Sequence, residues 1–536
     1  MFTLLDAAAA TGSSLHWIDI ALVVTSVVLV MLFGLKFAHK QDSTDSYFAA
    51  GGSIPSWAIG MSIFATLISS VTFLSYPGAA YGGNWILLVQ GLMVPLVLLG
   101  MIWFIVPLFR RTIRLSTYEY FERRFGFGAR LYGSLAFLLI HFSKLGTVFY
   151  LVALAVSEFM AWDIYWVIVV IGIAVTIITL LGGMEAVIWM DVIQGFILIV
   201  GGLICAGILL FAPEGGPSAV MEVALQDNKI GVGPFDWDFV QLTFWVMAIN
   251  GVFYAIQKYG TDQTIVQRYL TAKDDRAAKK AAYIGVLASV PIWTLFMFIG
   301  TCLYAYYKIE VDPAIVGLKA DEVFPHFIAN ELPIGVKGLI VSALLAGAIS
   351  SLDSDLNCFA AIGVQDYYVR FKPQSTDRQR LNLGRWIVAI SGVASIVIAA
   401  IYAYWGGEGI LGVLFGLYAI FSSGIVGLFL LGLLVPRANK QGLWVGLIVC
   451  ILFTAYAVLT STKFTVGVDP ETGDPIKQTL LNLGEWNFTH HKYMLGVYSH
   501  LIVFFVGWLA SYFWPKKQVD ESLTIRGYMK ARKMEK

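Results

Sequence analysis

The chain has 536 residues, of which 58% are hydrophobic and only 13% are charged. Soluble globular proteins carry about 25% charged residues, so this composition excludes a soluble protein and indicates a chain that crosses a membrane many times. The net charge of +1 gives no reason to expect a nucleic-acid partner. The four cysteines lie in apolar runs and show no spacing typical of a metal site or a disulfide framework.

Thirteen apolar runs are long enough to cross the hydrocarbon core as helices. They lie at about residues 17–37, 57–81, 85–109, 130–160, 164–181, 187–211, 238–260, 281–307, 334–368, 382–405, 409–436, 443–460 and 493–514. The fold class predicted from these runs is an all-α polytopic membrane protein with about 13 transmembrane helices.

The basic residues of the loops predict the orientation of the chain. With alternating spans, the loop arginines fall on one side, in segments 110–124, 268–280, 370–380, 437–440 and in the tail at 515–536. Cytoplasmic loops carry the excess of Lys and Arg. The N-terminus is therefore predicted outside and the C-terminus inside, with 515–536 as a solvated basic cytoplasmic tail.

The segments between the spans are short, and none is long enough for a catalytic domain. Segment 110–127 is basic and aromatic, which is typical of an amphipathic helix at the membrane surface. Segment 321–332 is given the same interpretation on the outer side. Residues 461–491 are predicted to form a polar outer loop.

Two predicted spans are unlike the others. Segment 62–78 is rich in Ser and Thr and contains Pro77, which removes a backbone donor, so its helix is predicted to break within the membrane, with a proline kink as the alternative. Segment 250–263 is also polar and interrupted, and it follows five spans later. Broken helices at matching places in two halves are typical of inverted-repeat secondary transporters.

This pattern divides the chain into five parts. They are an extra N-terminal span (17–37), a first repeat of five spans (56–211), a second repeat of five spans (238–436), two C-terminal spans (443–514) and the tail (515–536).

A stripe of small and hydroxyl-bearing residues marks the ninth span. Gly347, Ser350, Ser351 and Ser354 recur at helical spacing and share one face. Two aspartates, at 353 and 355, flank the stripe, and a carboxylate at membrane depth needs a partner, a cavity or an ion. The stripe is therefore interpreted as a cation site, with a helix-packing face of small residues as the alternative.

Two further charges lie inside predicted spans. Lys144 is about ten residues from either end of its run, which predicts a buried role beside a protein carboxylate or an anionic group of a substrate, unless the side chain snorkels to the surface. Asp191 lies near the cytoplasmic end of the sixth span. It either caps a solvated helix start or completes a cation site with the ninth span.

Four motifs make the chain resemble the sodium:solute symporter family, which includes sodium/glucose and sodium/sialic acid cotransporters. They are YFAAGG at 47–52, GGMEAVIWMDVIQG at 182–195, TDQTIVQRYL at 261–270 and the serine stripe ending in QDYY at 365–368. The resemblance implies a leucine-transporter-type core of two inverted five-helix repeats, with one span before it and two after it.

The resemblance also implies sites for co-transported sodium. The main Na+ site would use Ala65 and Ile68 at the break of the second span, with Gly347, Ser350 and Ser351 of the stripe. A second cation site, present in some members, would use Asp191, Asp353 and Ser354 together with Ser350. Asp353 departs from the small or hydroxyl residue expected there, so one or two ions, or a proton on Asp353, are left open.

The substrate pocket implied by the resemblance contains Ser69, Thr72, Gln90, Lys144 and Tyr259. Lys144 stands where sialic acid carriers have an arginine that holds the substrate carboxylate, and lysine keeps the charge without the bidentate fork. Gln90 matches its family position with an offset of one residue. Tyr259 is the candidate aromatic gate, and Lys258 stands where another aromatic is expected.

The function predicted is sodium-coupled import of a sugar or sugar acid by alternating access across a cell membrane, in bacteria the cytoplasmic membrane. A carrier of a small monocarboxylate or vitamin is the alternative, and a transporter-like sensor is the alternative from another class. An enzyme is not expected. The predicted partners are the small-molecule substrate and the lipid bilayer, with no nucleic acid and no implied oligomer.

Overall fold

The computed structural model describes residues 16–37, 41–68, 70–160, 162–405, 420, 422–468, 475–515 and 520–534. The first half contains α1 (Trp17–Leu35), α2 (Thr44–Ala49), α3 (Ser56–Leu67), α4 (Ser70–Gly82), α5 (Leu88–Thr112), α6 (Tyr118–Phe125), α7 (Phe127–Met160), α8 (Ile164–Phe211) and α9 (Gly216–Gln226). The second half contains α10 (Phe244–Gly260), α11 (Gln263–Leu270), α12 (Asp275–Ile309), α13 (Ala320–Asn330), α14 (Val336–Ile362), α15 (Asp377–Trp405), α16 (Ile425–Leu434), α17 (Lys440–Ser461), α18 (Lys492–Ala510) and α19 (Ile525–Met534).

Within these described ranges, nine helices are long and apolar enough to cross a membrane, and the bent pair α3–α4 makes a tenth span. The long helix α8 covers two predicted spans. Helix α10 has only 17 residues, and α16 is a shorter apolar helix. Much of the predicted eleventh span, at 406–419, lies outside the described residues. The count of thirteen spans therefore stays a prediction.

Apolar side chains on the outside of the helices indicate contact with lipid. On α15, Trp386, Ile390, Val393 and Val397 follow helical spacing and are all exposed. A stripe of this kind would be unfavourable in water over so large an area. The bundle is therefore built for a bilayer, with its polar groups turned inward.

The predicted break in the second span is confirmed. Helix α3 ends at Leu67, Ile68 is extended (φ −99°, ψ 107°), and the two halves of the span meet at 54°. Pro77 lies inside α4, nine residues beyond the break, so a proline kink is not the cause. The interruption in the seventh span falls at Thr261 and Asp262, since α10 is continuous through residue 250 and α11 begins at Gln263.

The junction predicted between the fifth and sixth spans is a kink within α8. Gly183 has φ 58° and ψ −160°, and a Cβ there would lie 2.8 Å from the Tyr47 carbonyl oxygen. Only glycine combines this conformation with so close an approach of the backbone. The kink lets α8 pass from the fifth span into the sixth without a loop.

Helix α14, which carries the serine stripe, is at the centre of the bundle. It packs against α1, α3, α4, α7, α8, α11 and α15 and is buried at nearly every position. Its first turn is capped by α1, because the Asp19 carboxylate accepts hydrogen bonds from the backbone N–H of Gly335 (2.7 Å) and Gly338 (2.8 Å). The extra N-terminal helix therefore holds the start of the helix that bears the candidate ion site.

Two predictions about the segments outside the spans are wrong, and the predicted polar outer loop contains a strand pair that was not foreseen. The outer loop 461–491 contains an antiparallel hairpin, β1 (Lys463–Val468) and β2 (Pro475–Thr479), so the described chain is not purely helical. Helix α6 does not lie on the lipid surface, because Tyr118, Tyr120 and Phe121 are buried in protein.

The tail is not fully solvated either. Leu523 and Thr524 are buried, and the Leu523 carbonyl accepts a hydrogen bond from the Tyr120 hydroxyl (3.0 Å). The aromatic residues of α6 that had suggested a membrane surface instead receive the returning tail.

Candidate functional site

The first part of the site is the break between α3 and α4. A helix that ends leaves its last carbonyl groups without intrahelical donors, and Ala65 and Ile68 belong to this end. Helix α14 packs against both α3 and α4. On α14 the Ser351 hydroxyl donates to the Gly347 carbonyl at 3.3 Å, so two predicted ligands of the main Na+ site are adjacent.

The second part is a buried cluster around Asp191 of α8. This carboxylate accepts hydrogen bonds from the hydroxyls of Ser62 on α3 and Ser350 on α14. It also forms an ion pair with Arg268, whose Nη2 lies 2.8 Å from Asp191 Oδ2. Nη2 also donates to Ser354 Oγ at 2.8 Å, and Nε donates to Ser62 Oγ at 2.7 Å. The cluster, called here the Asp191 cluster, joins α3, α8, α11 and α14.

Arg268 was not recognised from the sequence as part of any site. It was counted among the arginines of a cytoplasmic loop, but its side chain is completely buried on α11. Its position within the TDQTIVQRYL motif was the signal that could have found it. Asp191 is correspondingly a buried ion-pair partner and not a solvated helix start.

Asp353 is buried beside the Asp191 cluster with only part of its hydrogen-bonding capacity used. Its Oδ1 accepts a bond from Ser354 Oγ (3.3 Å), while Oδ2 has no partner within the described part of the chain. The cluster and its neighbour Asp353 thus contain two buried carboxylates and, among the described residues, one guanidinium. Because a buried charge requires a counter-charge, this arrangement can accept one more positive charge.

A third group of charges surrounds Lys144 on α7. Its ammonium Nζ lies 3.0 Å from Asp355 Oδ2, and His141 Nδ1 lies 2.7 Å from Asp355 Oδ1. The His141 ring reaches Asp262 Oδ2 with its Nε2 at 3.6 Å, and Lys258 Nζ pairs with the same oxygen at 2.6 Å. Of the roles predicted for Lys144, a carboxylate partner in the protein is confirmed, and that partner is Asp355.

The other predicted substrate residues are not joined to Lys144 by hydrogen bonds within the described residues. Thr72 is buried on α4, and Ser69 lies outside the described residues. Gln90 on α5 packs against α10, where a Cβ on Gly251 would lie 2.9 Å from the Gln90 Cα. Tyr259 is buried, and its hydroxyl has no partner in this part of the chain.

The candidate ligand atoms of the site, which are carbonyl and hydroxyl oxygens, suit an alkali cation better than a transition metal. Within the described ranges, no group of three or more His, Cys, Asp or Glu side chains could hold a metal ion. Carbonyl and hydroxyl oxygens with few carboxylates are hard ligands. A broken helix beside hydroxyl groups provides the kind of oxygen ligands that a hard monovalent cation requires.

Comparison with known proteins decides the family. The model of the sodium:solute symporter family matches residues 47–450, about three quarters of the chain. The chain belongs to the sodium:solute symporter family. It is 35% identical to the sodium/sialic acid symporter NanT of Aliivibrio fischeri. The matched region covers 79% of this chain and 84% of NanT.

Solved structures agree with this membership. A Na+-coupled sialic acid symporter in a substrate-bound outward-open state has 30% identity, a TM-score of 0.82, and coverage of 94% of this chain and 99% of its own. A nucleobase-cation-symport-1 family transporter in a closed conformation has 16% identity and a TM-score of 0.54, covering 87% of this chain and 93% of its own, so it shares the fold. The fold is the leucine-transporter type.

Membership confirms the general function predicted from the sequence. The protein is a multi-pass cell-membrane transporter, not an enzyme, and sodium is the ion that its transport is coupled to. The solute is a small molecule that crosses the bilayer together with sodium.

Proposed function

We propose that this symporter imports a sugar acid of the sialic acid class together with sodium. The observation that carries the proposal is the similarity, over most of both chains, to sodium/sialic acid symporters in sequence and in structure. Lys144, which stands where the family resemblance implies a carboxylate-binding arginine, supports an acidic substrate.

The main Na+ site of the proposal contains Ala65, Ile68, Gly347, Ser350 and Ser351. The break after α3 supports it, since it leaves carbonyl oxygens without helical partners beside α14. Sodium bound there would hold α3 and α4 against α14 and so complete the pocket for the solute. The Ser350 hydroxyl donates to Asp191 in the present arrangement, so Ser350 would serve the main site through its carbonyl or after its hydroxyl rotates.

The second cation site of the proposal contains Asp191, Asp353, Ser354 and Ser350. The Oδ2 atom of Asp353, which has no hydrogen-bond partner among the described residues, supports it, because a buried carboxylate needs a counter-charge. Either a second sodium ion or a proton would supply this charge. The proposed solute pocket contains Thr72, Gln90, Lys144, Tyr259 and the neighbouring position 69.

The proposed transport cycle uses the two repeats as moving parts. We assign the repeats to 56–211 and 238–436, the extra span to 17–37, the two C-terminal spans to 443–514 and the tail to 515–536, with thirteen spans and the N-terminus outside. Sodium and the solute enter from outside, and rocking of one helix group against the other opens the inner side. A potential of 100 mV contributes about 2.3 kcal/mol per sodium ion carried inward.

The first test is a melting experiment on the purified protein in sodium and in potassium, each with N-acetylneuraminic acid, neutral sugars and small monocarboxylates. A ligand that binds only the folded state raises its stability by mass action. We expect the melting temperature to rise with the sialic acid only when sodium is present. A sodium-dependent rise with a monocarboxylate instead would replace the proposed substrate while keeping sodium coupling.

A second test addresses the main Na+ site. Ser351→Ala removes a hydroxyl of the proposed coordination shell and should raise the sodium concentration that gives half-maximal uptake about tenfold or more, because a hydrogen-bonding or ligating oxygen contributes about 1.4 kcal/mol. Ser342→Ala is the matched control, since its hydroxyl donates to the Gly338 carbonyl earlier on the same helix. Unchanged sodium dependence in Ser351→Ala would show that the site lies elsewhere.

A further inference from the structure

Lys144 and Lys258 are more exposed than the carboxylates with which they form ion pairs. The side chains of Lys144 and Lys258 are 27% and 24% exposed, whereas those of Asp355 and Asp262 are 0% and 6% exposed. In both ion pairs the carboxylate is therefore buried in protein, whereas part of the lysine side chain is exposed.

The exposed part of each lysine side chain is expected to face an aqueous space inside the bundle. Lys144 lies in the middle of the membrane-length helix α7, and Lys258 lies in the last turn of α10, next to the break at Thr261 and Asp262. Charged groups at such depth face the bundle interior or a water-filled cavity and not lipid. The two ammonium groups are thus accessible to a solute that enters the bundle.

Both ammonium groups have hydrogen-bonding capacity to spare. A lysine ammonium has three N–H donors. In the described part of the chain, Lys144 has one carboxylate partner, Asp355, and Lys258 has one, Asp262. The remaining donors of each lysine can bind an anionic group without breaking either ion pair.

The buried carboxylates of the two ion pairs are linked to each other through His141. His141 lies between them, 2.7 Å from Asp355 Oδ1 and 3.6 Å from Asp262 Oδ2. Asp262 is further held as the cap of α11, because its Oδ1 accepts from the backbone N–H of Thr264 at 2.9 Å. Helices α7 and α10 therefore supply the two lysines, which are held by Asp355 of α14 and by Asp262, the cap of α11.

We infer that Lys258 is a second anion-binding residue of the solute site, which acts with Lys144 on the carboxylate of the substrate. The inference rests on the proposed function, since it specifies how a sugar acid is distinguished from a neutral sugar. Lys258 was noted in the sequence only as a departure from an expected aromatic residue. Because Lys258 is held by the buried Asp262 and is itself partly exposed, the lysine at this position would favour acidic solutes.

The test compares an acid with its uncharged ester. Sodium-dependent binding of N-acetylneuraminic acid and of its methyl ester is measured by calorimetry for the parent and for Lys258→Met. We expect the parent to prefer the acid by about tenfold or more, and Lys258→Met to lose most of that preference, since a charge-assisted hydrogen bond contributes at least a tenfold factor. Affinity for the ester should change less than twofold.

Three further variants separate binding from folding. Lys258→Arg keeps the charge and should retain the preference for the acid. Lys258→Met combined with Asp262→Asn removes both charges of the pair, so it avoids an unpaired buried carboxylate and should still lose the preference. Lys440→Met, at an exposed lysine at the start of α17, is the control and should bind both ligands as the parent does.

The outcomes are distinguishable from failure of the proposed function. Suppose that the parent binds the acid. If Lys258→Met then keeps the full acid-to-ester affinity ratio, or if the charge-neutral double variant loses affinity for both ligands equally, the role of Lys258 is refuted and the proposed function stands. If the parent binds no sugar acid in sodium, both are refuted.

Discussion

Replacement of Arg268 by Met tests the arrangement of charges at the centre of the bundle. The buried guanidinium donates to Ser62 at 2.7 Å, and to Asp191 and Ser354 at 2.8 Å each. Removing one partner of a buried ion pair costs about 3–5 kcal/mol, because the other charge is left uncompensated. The hydroxyls of Ser62 and Ser350 still donate to Asp191, so we expect a loss near the lower end of this range.

Sodium should recover part of this loss. Without the guanidinium, the described cluster keeps two buried carboxylates, Asp191 and Asp353, and an external cation or a proton would have to supply their counter-charge. Binding at a concentration one hundred times its dissociation constant returns about 2.7 kcal/mol. The melting temperature of Arg268→Met should therefore rise more steeply with sodium than that of the parent.

The assay is thermal unfolding of the purified protein in a sodium series, with potassium keeping the ionic strength constant. The double variant Arg268→Met with Asp191→Asn removes both charges of the ion pair and should be more stable than Arg268→Met alone. If Arg268→Met melts at the parental temperature with the parental sodium dependence, the Asp191 cluster does not carry the charge balance described here.

Two other substitutions test packing and capping. Asp19→Ala should destabilise the protein by about 1–3 kcal/mol in thermal unfolding, because two buried N–H groups at the start of α14 lose their acceptor. Asp19→Asn, which keeps an acceptor oxygen, should lose clearly less, and equal losses would argue against the cap. Gly300→Ala would place a Cβ 2.2 Å from the Pro77 carbonyl oxygen and should lower expression and melting temperature, whereas Gly100→Ala, with no atom within 4 Å, should behave as the parent. A parental melting temperature for Gly300→Ala would show that α4 and α12 are not packed as closely as described.

Much of the fold could be predicted from local sequence, because the bilayer leaves a chain few choices. An apolar run must satisfy its backbone hydrogen bonds internally, so each long run forms a helix. The break in the second span was also predictable, since the run of Ser, Thr and β-branched residues weakens a helix. Its position at Ile68 followed only from the family resemblance, which places Ala65 and Ile68 at the break, since in the local sequence Pro77 marks a point nine residues later.

Helix α6 and the tail show where composition misled the prediction. Basic tails are usually solvated, but Leu523 is buried, and its carbonyl accepts a hydrogen bond from the Tyr120 hydroxyl of α6. Amphipathicity in α6 predicted an apolar face correctly. It could not distinguish a face against lipid from a face against another segment of the same protein.

The sequence by itself determined which residue types would matter: a serine stripe, buried aspartates and a lysine in the middle of a span. Only the tertiary structure decided which of them meet. Arg268 reaches Asp191 across 77 positions of the chain, and Lys144 reaches Asp355 from another helix. The physical reason is that a buried charge must find a counter-charge, and the partner is selected by helix packing in three dimensions, which local patterns do not encode.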